Sequence, residues 1–191
     1  MKSTTLVTQG VNRVANRAKR EVIARVPAVN TVVQHRHEGR VRRYQASLPA
    51  LEPRDRELVA RLKTDAIHIG TLDELGLPDT EALQEELARL TALLADRPPA
   101  GLSTVRPSPE ELLESPLVWR WGLSERMLDI AENYLGLPAR YYGGDVRREV
   151  ADNKPMDVRQ WHRDIEDDHV LKILVWLNDV DDDGGPFAYI P

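Results

Sequence analysis

His162 and Asp164, in the run Gln160-Trp161-His162-Arg163-Asp164, are the residues of this 191-residue chain best matched to a chemical task. A strand repeats its side-chain direction every two residues, so an extended segment would project both from one face. An imidazole beside a carboxylate supplies two of the three ligands of the facial triad that holds non-haem Fe(II). Gln160 shares that face and could hydrogen-bond a cosubstrate or a bound water. Its alternative is a solvent-facing glutamine at the start of a strand.

The flanking sequence predicts the elements that would carry the pair. Val170 to Leu177 is an apolar run rich in β-branched residues, as a buried strand requires. Asn178 to Pro186 is dense in turn residues, and Phe187 to Pro191 reads as a short apolar strand. Lys172 is the only charge in the apolar run and shares a face with Val170, Leu174 and Trp176. Inside a barrel it would face an anionic cosubstrate; otherwise it snorkels past the sheet edge.

Three landmarks in fixed order then stand out: Tyr134-Leu135-Gly136 ending a helix, Gln160 to Asp164, and Leu177-Asn178-Asp179-Val180-Asp181 leading into Gly185-Pro186-Phe187. This ordered set, over roughly residues 123 to 191, closely resembles the phytanoyl-CoA dioxygenase family of Fe(II)/2-oxoglutarate oxygenases. The resemblance implies a double-stranded β-helix (a jelly-roll) in an α+β chain, with the metal inside one end. His162 and Asp164 would be two iron ligands; on that reading, the alternation above would put Gln160 and Lys172 toward 2-oxoglutarate. The implied reaction consumes O₂, converts 2-oxoglutarate to succinate and CO₂, and hydroxylates a C–H bond of a small organic substrate. A carboxylate at position 164 points to hydroxylation, because halogenating relatives leave that position to a halide.

The family's second histidine and its 2-oxoglutarate-binding arginine lie on later strands, so the sequence is expected to be the N-terminal portion of a longer enzyme. Half a β-helix alone would present unpaired strand edges and a one-sided apolar surface. The competing reading is a non-catalytic interaction module that retains part of the jelly-roll, with His162 and Asp164 joined by an ordinary hydrogen bond.

Other metal sites fit less well. Among the five histidines, His169 lies just before the apolar run, where it reads as an exposed loop residue, and His35-Arg36-His37 sits in a basic, polar segment read as solvated surface. Asp179-Val180-Asp181-Asp182-Asp183-Gly184 matches the first half of a calcium loop. Ile190 stands where the bidentate glutamate belongs, so calcium is rejected.

Composition narrows the classes further. With no cysteine, disulfides, thiolate metal sites and thiol nucleophiles are excluded. No run approaches the ~18 apolar residues of a membrane helix, and no secretory segment opens the chain, so a cytoplasmic protein away from membranes is expected. The net charge of -5 conceals an asymmetry: residues 1–43 hold ten Lys/Arg against Glu21 and Glu38. Such a basic arm can attract an anionic partner or simply be a solvated helix face; lacking any nucleic-acid motif, no nucleic-acid partner is expected. Tyr44 is the only aromatic residue before Trp119, so the first part must pack with Leu, Val, Ile and Ala.

Periodicity predicts an amphipathic helix over Val11 to Val26, then a polar stretch of open structure between Pro27 and Pro49. Asp55 is read as the cap of a helix with Leu58, Val59 and Leu62 on its apolar side, and Gly70 to Pro78 as a connector with room for one helical turn. Asp79 or Thr80 opens a helix with Leu83, Leu87, Leu90 and Leu94 on one face. Ser108-Pro109-Glu110-Glu111 is a capping box, and Ser124 starts a helix ended by Gly136. Arg140 to Val150 reads as strand interrupted at Gly143-Gly144. The Pro/Gly-rich stretch 98–107 divides residues 1–107, a helical region with a basic arm, from 108–191, a helix plus the first half of the β-helix.

Overall fold

The computed structural model describes residues 25–99, 103–151, 160–162, 169–182, 184 and 186–190. Contacts divide the chain into two units, Met1–Ser47 and Leu48–Pro191.

In the first unit, Pro27–Tyr44 forms helix α1, followed by a 3-10 turn at Gln45–Ser47. The stretch left open by periodicity is therefore helical. Pro27 sits at the first helical position, where its missing N–H costs nothing, and Arg42 and Arg43 complement the carbonyl end. None of its residues is buried, so no apolar face marked it in the sequence. The helix expected over Val11 to Val26 lies outside the described residues except for Arg25 and Val26.

The second unit contains helices α2 (Pro53–Asp65), α3 (Leu72–Leu75), α4 (Thr80–Ala95), α5 (Pro109–Leu113), α6 (Leu117–Arg120) and α7 (Glu125–Leu135). Strands β1 (Thr104–Val105) and β2 (Arg148–Glu149) form one antiparallel pair, Thr104 opposite Glu149 and Val105 opposite Arg148. The architecture is α+β, helices with a small two-stranded sheet, and no closed barrel occurs among the described residues.

The core follows the apolar stripes. Leu83, Leu87, Leu90 and Leu94 recur at helical spacing along α4 and are all buried. Val59 of α2, Leu77, Val105, Trp121, Val146, and Met127 and Ile130 of α7 complete the cluster. Residues from both sides of the Pro/Gly-rich stretch thus share one core. Ser115, fully buried, is reached by the Arg89 guanidinium of α4. The Leu117 amide donates to Glu86 at 2.9 Å, tying α6 to the same helix.

Helix ends show where side-chain chemistry acted and where it did not. Ser108 and Glu111 form the expected capping box, the Glu111 amide donating to Ser108 at 3.2 Å and the Ser108 amide to Glu111 at 2.6 Å. Thr71 and Glu74 build a second box on α3, inside the predicted connector. Asp55 is not a cap: Glu52 precedes α2, and Asp55 is buried at its third residue. Thr80 bridges instead of capping, donating to the Leu77 carbonyl at 2.7 Å and accepting from the Trp121 indole at 3.2 Å. Gly136 closes α7 in the left-handed conformation, φ 68°, as glycine there allows.

Glu111 also receives two hydrogen bonds from Arg97, at 2.7 and 3.0 Å. The Arg97 guanidinium, with the Ser108 amide, holds its carboxyl well below the ordinary 4.5, at about 2. A carboxylate whose pKa falls on folding stabilises the fold above its unfolded value and loses that contribution as pH drops through the folded one. Between pH 4.5 and 2, Glu111→Gln should therefore show a shallower loss of stability than the wild type, read by urea unfolding at a series of pH values. Parallel curves would remove Glu111 from the acid response.

The strand predicted over residues 140–150 is reduced to Arg148–Glu149. Its partner β1 runs into Arg106-Pro107, and proline cannot donate to a ladder. The larger difference is at Val170 to Leu177, which joins no ladder among the described residues. Ile173 to Leu177 are exposed, Trp176 at 51%. β-Branched composition favours a pleated surface but does not create one without a paired neighbour.

Candidate functional site

The segment bearing the predicted metal pair begins and ends at anchored residues. At its start, β2 is paired with β1 and the Val150 amide donates to the Ser103 carbonyl at 2.7 Å. At its end, Leu171 packs against the core cluster.

His162 lies exposed in this segment, and its Nδ1 is 2.8 Å from the carbonyl oxygen of Gln160. A carbonyl only accepts, so Nδ1 is the donor in this contact. Metal-binding histidines are commonly oriented in this way, one nitrogen donating to a carbonyl and the other ligating. Gln160 is brought to His162 through its backbone, and its side chain is exposed. Asp164 lies outside the described residues. Among the described residues, no group of three His, Cys, Asp or Glu side chains could hold a metal ion.

Beyond the pair, the chain reverses. The Gly184 amide donates to the Asp181 carbonyl at 3.1 Å and to its carboxylate at 2.9 Å, closing the acidic turn on itself. Trp176 and Phe187 then meet edge to face, 6.2 Å between centroids at 63°. The predicted turn is thus present, with its flanks in aromatic contact. Lys172 lies on the first flank and is exposed. His169 is exposed as well.

No protein-family model, curated protein or solved structure matches this chain.

The residues that sequence reasoning missed are structural supports. Arg126 of α7 donates to Asp55 of α2 through two bonds of 2.7 Å, and to the carbonyls of Leu75 and Gly76 at 2.7 and 2.8 Å. The one available signal was an acid at the third residue of a helix with no capping function. The partner lies 71 positions away, beyond any local pattern. No helix of the described residues is long and apolar enough to cross a membrane.

Proposed function

We propose that this chain carries the iron-binding half-site of an Fe(II)/2-oxoglutarate-dependent hydroxylase acting on a small organic substrate, within a jelly-roll of the phytanoyl-CoA dioxygenase type. The reading rests on the ordered motif Gln160 to Asp164, Leu177 to Asp181 and Gly185 to Phe187. The His162 contact supports it, because metal-binding histidines commonly donate one ring nitrogen to a carbonyl. An imidazole and a carboxylate fit a borderline-hard divalent ion such as Fe(II), which also requires a third ligand. When bound, that ion would supply the chemistry that activates O₂.

The chain's own residues do simpler things. His162 and Asp164 would hold the metal, with 2-oxoglutarate and O₂ as the co-reactants. Gln160 donates or accepts a hydrogen bond at the cosubstrate, and Lys172 offers a cation to its carboxylate.

Anaerobic Fe(II) titration tests this. With only two ligands from this segment, weak binding is expected, lowered at least about tenfold by either His162→Ala or Asp164→Ala. Gln160→Ala and Lys172→Ala should leave metal binding intact and weaken 2-oxoglutarate binding to the iron-loaded protein. Wild-type Fe(II) binding indistinguishable from that of both ligand variants would discard the oxygenase.

The second reading, a non-catalytic interaction module, has one observation in its favour. Ile173 to Leu177, Phe187, Tyr189 and Ile190 are all exposed, and apolar surface of that kind marks contact sites. It becomes the preferred reading if the metal titration fails.

A further inference from the structure

Helix α1 holds a charged surface that the oxygenase reading does not use. It contains four arginines and no lysine: Arg36, Arg40, Arg42 and Arg43. Positions 36, 40 and 43 recur at helical spacing, so they form one stripe about 10 Å long at ~1.5 Å of rise per residue. With Val32, His35 and Gly39 they line a shallow open groove. Gly39 forms part of it because it has no side chain, and the Arg43 guanidinium lies 3.7 Å from where a Cβ would sit.

Three observations distinguish this stripe from an ordinary solvated face. First, all three arginines are exposed, and no carboxylate pairs with them among the described residues. Glu38, the one acid on the helix, faces Arg42 and His35 instead, each at 3.8 Å. Second, helix stability does not require all of them: the dipole rewards cations in the last turn, where Arg43 lies, but not at Arg36 two turns earlier. Third, the residue type is specific. A guanidinium presents a planar fork that matches phosphate oxygens in pairs, which an ammonium cannot do.

The distribution of apolar residues argues against a lipid surface. Val29, Val32 and Val33 lie on the same stripe as the arginines, one to two turns earlier, not on the opposite face. A helix that lies in a membrane interface needs its apolar and basic residues on opposite faces. A nucleic-acid backbone needs only cations in a row, and ~10 Å of duplex axis carries about three phosphates of one strand, one per ~3.4 Å of axial rise. The lack of a nucleic-acid motif is no obstacle, because such binding is independent of sequence.

We propose that the Arg36–Arg40–Arg43 stripe of α1 binds the phosphate backbone of nucleic acid without sequence preference. The full chain should bind a fluorescein-labelled 20-base-pair DNA duplex at 50 mM NaCl with a Kd in the range of about 1–100 µM by fluorescence anisotropy, weakening steeply by 200 mM. The triple variant Arg36→Gln/Arg40→Gln/Arg43→Gln should weaken binding at least about tenfold and flatten the slope of log K against log salt by about 2–3. Arg40→Gln alone, expected to lower the slope by about 1, gives the same answer if the triple variant loses helicity by circular dichroism. A control triple of equal charge, Arg56→Gln/Arg61→Gln/Arg120→Gln, should bind as the wild type does.

Absence of wild-type binding at 50 mM NaCl overturns the proposal. So does equal weakening in the two triples, which would reduce the effect to bulk charge. Tighter binding of polyglutamate than of the duplex would also overturn it, making the partner an acidic protein. None of these results bears on Fe(II) binding, so the proposal and the oxygenase reading can fail separately.

Discussion

Asp55→Ala should destabilise the second unit by about 3 kcal/mol, the lower end of the cost of breaking a buried ion pair. Asp55 is 2% exposed and accepts two hydrogen bonds of 2.7 Å from one guanidinium. Arg126 is less enclosed, with 22% of its side chain exposed, which is why the lower end applies. The loss is not confined to the pair. The same guanidinium donates to the Leu75 and Gly76 carbonyls at the end of α3, so removing Asp55 frees the group that joins α2, α3 and α7.

Arg126→Ala should cost as much or more, because it leaves a buried carboxylate with only Arg54, at 3.8 Å, for compensation. The double variant should cost less than the two singles added together, the mark of a direct coupling. Urea unfolding followed by circular dichroism measures all three. An Asp55→Ala protein within 0.5 kcal/mol of wild type, on the order expected of a surface change, would show that the pair contributes nothing net.

The pair also has a pH signature. The hydrogen bonds from Arg126 hold the Asp55 carboxyl below its ordinary 3.8, against burial, which pushes it up; the Arg126 and Arg54 charges reinforce the lowering. Its contribution is therefore complete above pH 3.8 and disappears as pH falls below that value. In Asp55→Ala this part of the acid sensitivity should be missing.

The second large effect is expected at Gly144. A Cβ there would stand 3.0 Å from the Val118 carbonyl carbon, closer still to its oxygen, and 3.3 Å from the Trp119 Cα. All of these are backbone atoms, which cannot rotate away. Gly144→Ala must displace either α6 or the segment leading to β2, and overpacking of this kind costs about 1–3 kcal/mol or more. Val146, buried two residues on, and the Arg106–Asp145 ion pair of 3.1 Å would move with it.

Gly122→Ala is the informative comparison. Its added methyl meets Tyr141 Cε2 at 3.2 Å, the far part of a side chain that can swing aside, so a clearly smaller loss is expected. If the two alanine variants unfold at the same urea concentration, the close approach of backbone at Gly144 is not what holds the segment. The consequence reaches the candidate site, because β2 and Val150 anchor the start of the stretch that carries His162. If the proposed iron half-site holds, a displaced β2 should weaken Fe(II) binding without any change to His162 or Asp164.

Much of the helical part of the second unit was legible in the residues. The α4 leucine stripe, the Ser108–Glu111 box and the Gly136 stop rest on interactions within a few positions, so periodicity and capping chemistry suffice to place them. The contact of His162 with the Gln160 carbonyl is also local, but the spacing of side chains gave no sign of it, because it is made by the backbone. Helix α1 buries nothing and so leaves no apolar pattern to read. Asp55 looked like a cap because a lone acid near a helix start usually is one; only its distant partner Arg126 gives it another role. Gly143-Gly144 was visible as an interruption, but not as the place where two backbones touch. The apolar run at Val170 to Leu177 has strand composition but joins no ladder among the described residues, because a ladder is a property of two segments. What the residues by themselves determined is the local order: helix stripes, caps, the acidic turn and the candidate ligand spacing. Tertiary structure alone decided which charges are buried together, where glycine is obligatory and which apolar runs find a partner, since each depends on atoms far apart in the chain.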